Sequence, residues 1–329
     1  MKRVITFGEA IVRLSPPGHG RIEQARSLDL FVGGAELSAA AGLVRLGVGC
    51  ALVTALPDTP IGRLVLSDIS GAGIDVKHII RQPSGRVGIY FAERGASPRP
   101  PRVLYDRDGS AISRLRGTEI DWKRVLTEYD HFHTTGVTLA LGSGCLDLAR
   151  GALTTAKKLG LSTSFDLSYR PHLWGEVRAQ ETVSLLLDSI DHLIATEEDI
   201  LRVFKIRAEN HEALVRELIG RFNLESCALT LRDDQSPMKN RWSAIAANGR
   251  SFFTDRSYDV EVVDSLGAGD AFDAGYIYGI ITGDIGMGLK VGNAMASLKH
   301  SVPGDMIVGE KEEILALARG LDAPLGARR

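Results

Sequence analysis

Strand-like and helix-like segments take turns along most of this chain, and that alternation limits its fold more than any other feature. Residues 4–8 read as a buried strand, 37–46 as a small-residue helix after the Gly33-Gly34 turn, 51–56 as a strand and 61–69 as a helix. After Asp121 the alternation resumes, with strands at 131–135, 161–167, 192–195 and 227–231 and helices at 146–159, 180–187 and 212–222. Residues 243–247 and 251–254 read as a hairpin around Asn248-Gly249. Repeated strand–helix–strand units imply an α/β fold, a mostly parallel sheet covered by helices on both faces. Ligands of such sheets sit beyond the carboxyl ends of the strands. The turn at Gly33-Gly34 and the segments 166–170, 196–199 and 267–270 all follow strands, so they can converge on one edge.

Between 76 and 107 the pattern changes. Residues 87–92 and 103–105 look like strands joined by a proline-rich stretch, 97–101, with no helix between them. Such an insertion forms a small sheet standing off the main body. The expectation is one domain over residues 1–329, with lid strands inserted from about 9–32 and 76–112, and a loose tail at 322–329.

The run Asp264-Ser265-Leu266-Gly267-Ala268-Gly269-Asp270 follows a strand-like segment, 260–263, and opens an apolar helix pattern, 271–281. Its glycines permit a tight turn and close approach of a ligand to the backbone. Free amides at the helix start, reinforced by the helix dipole, favour negative charge at one spot. Amides that seek an anion, next to a lone carboxylate, suit holding a transferring phosphoryl group while a base takes a hydroxyl proton. The plainer alternative is a strand-to-helix turn that Asp270 merely caps.

Lys plus Arg number 39 and Asp plus Glu 41, and aromatics are 6%. That balance argues against nucleic acid or an anionic membrane as the main partner. The amino-terminal residues run straight into a strand without a signal-like apolar core, and no apolar stretch is long enough to span a bilayer. Cys50, Cys145 and Cys227 are far apart and form no C-x-x-C, which fits three core residues of a reduced, cytoplasmic protein.

The Asp264–Asp270 run resembles the carboxyl-terminal signature of the ribokinase-type (phosphofructokinase-B-type) sugar kinases. Gly33-Gly34-Ala35-Glu36-Leu37 with the following helix ending Arg45-Leu46-Gly47 resembles their amino-terminal glycine signature. Segments 103–111, 166–174 and 301–305 are similar to the 2-keto-3-deoxygluconate kinase branch, and the resemblance runs roughly from Val4 to Leu317. It implies a ribokinase-like three-layer sandwich with a small β lid. It also implies that Asp270 is the catalytic base and that Gly267, Ala268 and Gly269 form the anion hole for the γ-phosphoryl group. Gly34, Ser38, Tyr90, Tyr105, Arg107, Arg170 and Asp305 would bind the substrate. Thr196, Arg232 and Asn293 would lie toward ATP, whose Mg2+ would be held mainly by phosphates and water. A monovalent cation is a further ligand the resemblance allows. Ser38 stands where the family often carries Asn, Thr196 and Asp199 where it often carries Asn and Glu, and the loop after Leu231 reads Arg232-Asp233-Asp234-Gln235-Ser236-Pro237 instead of bearing glycines.

Each of these residues also has a plainer reading. Arg107 can be a solvated turn residue paired with a neighbouring acid. Two guanidinium forks, Arg107 and Arg170, match a carboxylate that a neutral hexose lacks, and either can instead serve the phosphates. Tyr90 and Tyr105 can simply pack the lid, Asp305 can bond its own Pro-Gly-Asp turn, and Glu197, Glu198 and Asp199 open a helix where acids are favoured anyway. Asn293 can approach adenine or face solvent. His131 and His133 share a strand face without a third metal ligand at suitable spacing, so no metal site is assigned. There is no Walker loop, G-x-S-x-G elbow or H-E-x-x-H. The expected protein is an ATP-dependent kinase of a keto-acid sugar, 2-keto-3-deoxygluconate foremost, forming a homodimer or higher homo-oligomer through its lid. A kinase for a neutral sugar or nucleoside and a non-catalytic sugar-binding regulator remain the alternatives.

Overall fold

A computed structural model describes residues 2–321; the tail expected at 322–329 lies outside them. The strands are β1 (Arg3–Phe7), β2 (Ile11–Ser15), β3 (Asp29–Gly33), β4 (Gly49–Pro57), β5 (Ile79–Gln82), β6 (Gly88–Glu93), β7 (Arg102–Asp106), β8 (His131–Thr135), β9 (Ser162–Asp166), β10 (His192–Thr196), β11 (Ser226–Ser236), β12 (Lys239–Asn248), β13 (Phe252–Thr254) and β14 (Tyr258–Glu261). Ten of them make one sheet in the order β13-β12-β11-β10-β9-β8-β1-β4-β5, with β14 also paired to β12. From β11 to β5 every pairing is parallel, and β12, β13 and β14 add antiparallel strands at one end.

Apolar runs rather than alternation mark the central strands because both faces are covered. Val4 and Leu52 point into one core, while Ile5, Phe7, Ala51 and Val53 point into the other. The first core holds helices Ala35–Arg45, Pro60–Gly71, Ala268–Thr282 and Ile285–His300; the second holds Ser143–Leu159, Glu176–Ser184, Glu197–Phe204 and His211–Phe222. Helix Ala268–Thr282 is apolar nearly all round, the signature of a helix enclosed by other elements. It packs on Ile285–His300 with backbones in close approach. A Cβ on Gly275 would lie 2.3 Å from Gly292 N and one on Gly279 2.2 Å from Gly288 Cα.

A second sheet, β3-β2-β6-β7, stands apart from the first. It draws on both segments assigned to the lid, with one correction. Residues 79–82 of that region are β5, paired in parallel to β4 in the main sheet. Ile79 and Ile80 pack on opposite cores, and this burial outweighs their place in the insertion. The segment after Leu231 is likewise no loop. β11 continues to Ser236, with Arg232 opposite Trp242 and Asp233 opposite Arg241, a pairing that overrides the weak strand preference of aspartate. The helix expected at 180–187 is Glu176–Ser184 followed by a 3-10 turn, Leu187–Ser189.

The three cysteines are buried and unpaired, as expected of core residues. His131 and His133 both bond the Ser164 hydroxyl, at 2.8 and 2.9 Å, and burial drives His133 down to about 3. They are neutral core residues. Among the described residues no group of three or more His, Cys, Asp or Glu could hold a metal ion, and no helix is long and apolar enough to cross a membrane.

Candidate active site

A cleft of about 1000 Å³ opens where the carboxyl ends of β9, β10 and β11 meet the lid and the start of helix Ala268–Thr282. Gly34, Tyr90, Tyr105, Arg107, Arg170, Thr196, Arg232, Gly267, Ala268, Gly269, Asp270 and Asp305 all line it. Residues from eight separate stretches of sequence thus meet in one place, as the position of their turns after strands requires.

Asp270 lies in the first turn of helix Ala268–Thr282. Its side chain is half-buried, opens on the cleft and has no ion pair or hydrogen bond among the described residues. Burial and the nearby Asp166 charge push its carboxyl well above the usual range, and Arg170 pulls it back. Gly267 caps the helix in the left-handed region, at φ +84°. The Ala268 amide turns back to Ser265 O at 3.4 Å, while those of Gly267 and Gly269 have no acceptor among the described residues. Two unmet amides at a helix start, with a free carboxylate beside them, can stabilise a phosphoryl oxygen and accept a proton.

Behind Asp270 lies a second carboxyl layer that sequence reasoning did not assign. Asp166, at the end of β9, and Asp273, one turn beyond Asp270, are both buried, and their carboxyls influence one another. Burial raises both, so the pair holds a proton under conditions where exposed carboxylates do not. Ser168 donates its backbone amide (3.1 Å) and its hydroxyl (2.5 Å) to Asp166. Asp199 is raised to about 6, by burial first and then by the Asp166 charge. Arg170 extends into this acidic wall, bonding only the Tyr169 carbonyl (3.2 Å) and making no ion pair among the described residues. Its fork is therefore available to a ligand.

Arg107 differs from its sequence reading. It is neither solvated nor paired with a sequence neighbour. It is 9% exposed, and its Nε and Nη2 grip Glu9, Nε at 2.8 Å. β6 and the turn after β7 bring it to Glu9 across the lid, so one of the two expected carboxylate forks already holds a carboxylate.

Tyr90, Tyr105 and His172 form a ladder, with centroids 5.6 and 4.5 Å apart, that walls the lid side of the cleft. The Tyr90 hydroxyl donates to Asp305. Asp305 thus bonds a lid tyrosine rather than only its own turn. Arg13, fully buried on β2, completes the lid-to-body link. It reaches Asp264 at 2.8 Å, Asp305 at 3.5 Å and the Ser15 hydroxyl at 2.8 Å. Nothing in the sequence singled out Arg13, because its partners lie about 250–290 residues away.

On the nucleotide side, Thr196 lines the cleft and caps helix Glu197–Phe204 by accepting from Asp199 N at 3.0 Å. Arg232 projects from β11 and pairs with Asp234 at 2.8 Å. Two assignments fail. Ser38 is fully buried and does not reach the cleft, because helix Ala35–Arg45 encloses residues 36–43 in packing. Asn293 is neither at the cleft nor at the surface. It is fully buried, and its Nδ2 donates to Asp255 Oδ2 and Arg256 O, both at 2.8 Å. It fastens helix Ile285–His300 to the segment after β13.

Comparison with known proteins adds a lineage to this geometry. Residues 1–311 match the profile of the pfkB family carbohydrate kinases. The 2-dehydro-3-deoxygalactonokinase of Haloferax volcanii is 34% identical over 97% of this chain and 98% of its own length. The solved structure of 2-dehydro-3-deoxygluconokinase from Thermotoga maritima is 38% identical and superposes with a TM-score of 0.94, covering 97% of this chain and 98% of that one. A ribokinase-like chain from E. coli, solved with ATP and Mg2+, shares the fold at 22% identity, with a TM-score of 0.83 over 97% of this chain and 100% of its own.

Proposed function

This chain belongs to the pfkB family of carbohydrate kinases, and on that premise we propose that it transfers the γ-phosphoryl group of ATP to a terminal hydroxyl of a 2-keto-3-deoxy sugar acid, converting 2-keto-3-deoxygluconate to its 6-phosphate. The observation that carries the transfer chemistry is Asp270, without a hydrogen-bond or ion-pair partner among the described residues, on the cleft wall beside the amides of Gly267 and Gly269, which likewise lack an acceptor among them. The sugar hydroxyl sits against Asp270, which takes its proton as the oxygen attacks phosphorus. The amides and the helix dipole stabilise the charge on the transferring group. Mg2+, when bound with ATP, neutralises phosphate charge. Tyr90 and Tyr105 wall off water from the lid side.

The keto-acid assignment rests on Arg170, whose fork makes no ion pair among the described residues and matches a carboxylate, and on the substrates named for the Haloferax and Thermotoga relatives. One observation favours a neutral sugar instead: Glu9 already occupies Arg107. A coupled ADP-release assay over 2-keto-3-deoxygluconate, its galactonate epimer, fructose, ribose and adenosine separates the readings. The expected result is a kcat/KM for a keto acid at least about a hundredfold above every neutral compound, as a site built for a charged group discriminates. A neutral sugar equal to or better than both keto acids overturns the substrate class, and no turnover with any compound overturns the kinase. We further propose that two lids pair. β7 is an edge strand whose Leu104 and Tyr105 are each 40% exposed, and Leu30 on the opposite edge strand β3 is 38% exposed. Light scattering at the mass of one 35.5 kDa chain contradicts this.

A further inference from the structure

Lys299 ends a helix, Ile285–His300, at a place where a lysine normally runs out to water. Here it is fully buried. Its Nζ donates to the Asp264 carbonyl at 3.3 Å and to the Val302 carbonyl at 3.1 Å. Those two oxygens belong to the two loops that shape the phosphate end of the cleft. One runs from Asp264 into the Gly267 cap, and the other leads to Asp305. The loops already meet backbone to backbone, since a Cβ on Gly267 would lie 1.8 Å from Asp305 O. Asp264 ties them further, accepting from Leu266 N at 3.2 Å with one oxygen and from Gly304 N at 3.1 Å with the other.

Four buried charges meet at this junction and a fifth stands at its edge. Arg13 and Lys299 face Asp264 and Asp305, all four buried, and the partly exposed Arg94 approaches Asp264 at 4.0 Å. Burial lowers the Lys299 ammonium to about 8 while the two aspartates hold it up, so it is a cation at neutral pH. A buried ammonium is costly, and an apolar side chain of that length would be the simpler packing choice. What the charge does here is specific: it fills two backbone carbonyls and adds a buried positive charge beneath a site that must receive phosphate. Without it, both carbonyls would lose this donor, and Asp264 and Asp305 would be opposed by arginines alone.

We propose that Lys299 is a tethered cation, a positioning residue whose ammonium clamps the Asp264 loop to the Val302–Asp305 loop and supplies a buried positive charge there, so that phosphoryl transfer by this chain needs no monovalent metal ion. The inference rests on the kinase reading but not on the identity of the sugar.

The test uses the purified full chain and whichever sugar it phosphorylates. Wild-type kcat is measured with tetramethylammonium as the sole monovalent cation and again with K+ or NH4+. The expected change is under about twofold, because the site already holds its cation. Lys299→Met, of similar length but uncharged, is expected to lose about a hundredfold in kcat, the scale of a lost oxyanion contact, with KM for the sugar little changed and circular dichroism native. Lys299→Ala opens space and is expected to gain a response to K+ or NH4+ that wild type lacks. Stimulation of wild type by K+ of more than about tenfold overturns the proposal, as does a folded Lys299→Met within about twofold of wild-type kcat. If neither variant folds, the wild-type ion titration decides. If no sugar is turned over, the kinase reading fails separately, and calorimetric ADP binding to wild type decides this one: affinity raised more than about tenfold by K+ refutes it, and affinity indifferent to K+ supports it.

Discussion

Replacing Gly267 by alanine tests whether catalysis depends on the exact seat of the phosphate loop. The residue sits at φ +84°, which costs an alanine about 1–2 kcal/mol by itself. Its Cβ would stand 1.8 Å from the Asp305 carbonyl oxygen, whereas real Cβ contacts essentially never fall below 3.0 Å. The two loops must therefore part by the difference, about 1.2 Å. The obstacle is backbone, so no side chain can swing aside. A displacement of that size at reacting groups costs on the order of a hundredfold in rate, or about 2.7 kcal/mol of barrier. Gly269→Ala is the matched control for stability. A Cβ there meets nothing within 4 Å, and in a helix alanine is favoured over glycine by about 0.5–1 kcal/mol. The assay pairs ADP-release kinetics with urea unfolding. Gly267→Ala should fall about a hundredfold in kcat and lose a few kcal/mol of stability, while Gly269→Ala keeps its midpoint or raises it. A Gly267→Ala enzyme with kcat within about twofold of wild type would refute the reasoning, since the loop would then tolerate the movement.

Asp270→Asn should cost about 10²–10⁴ in kcat while calorimetric ADP affinity stays within a fewfold, because the base is lost and the amides remain. Arg13→Met should destabilise the fold by about 3–5 kcal/mol in urea, since Asp264 and Asp305 stay buried with their shared arginine gone; an unchanged midpoint would show that Arg13 does not hold the lid to the body. The raised Asp270 carboxyl keeps its proton to higher pH, so kcat/KM should rise with pH along a limb above the ordinary carboxylate range. Asp166→Asn removes the charge that contributes to this shift and should move the limb to lower pH; a limb that stays put or moves up rejects the coupling.

Local chemistry made part of this site legible in advance. A glycine-bracketed turn between a strand and an apolar helix must present amides to its surroundings, whatever packs nearby, so the Asp264–Asp270 run disclosed its geometry. The same holds for the alternating elements, whose periodicity is set by neighbours in sequence. Where prediction failed, a distant partner had decided the outcome. Asp233 and Asp234 look like a loop until Arg241 and Asn240 pair with them across a hairpin. Ser38 and Asn293 look available until neighbouring elements close over them.

The sequence by itself determined the α/β class and the glycine turn that opens helix Ala268–Thr282, because each depends on residues within a turn or two of one another. Only the tertiary structure decided that Arg107 belongs to Glu9, 98 residues away, that Arg13 joins lid to body, and that Lys299 is a buried cation rather than a surface one. The reason is electrostatic. A charged side chain takes its role from whichever charge or carbonyl shares its dry environment, and folding alone selects that neighbour.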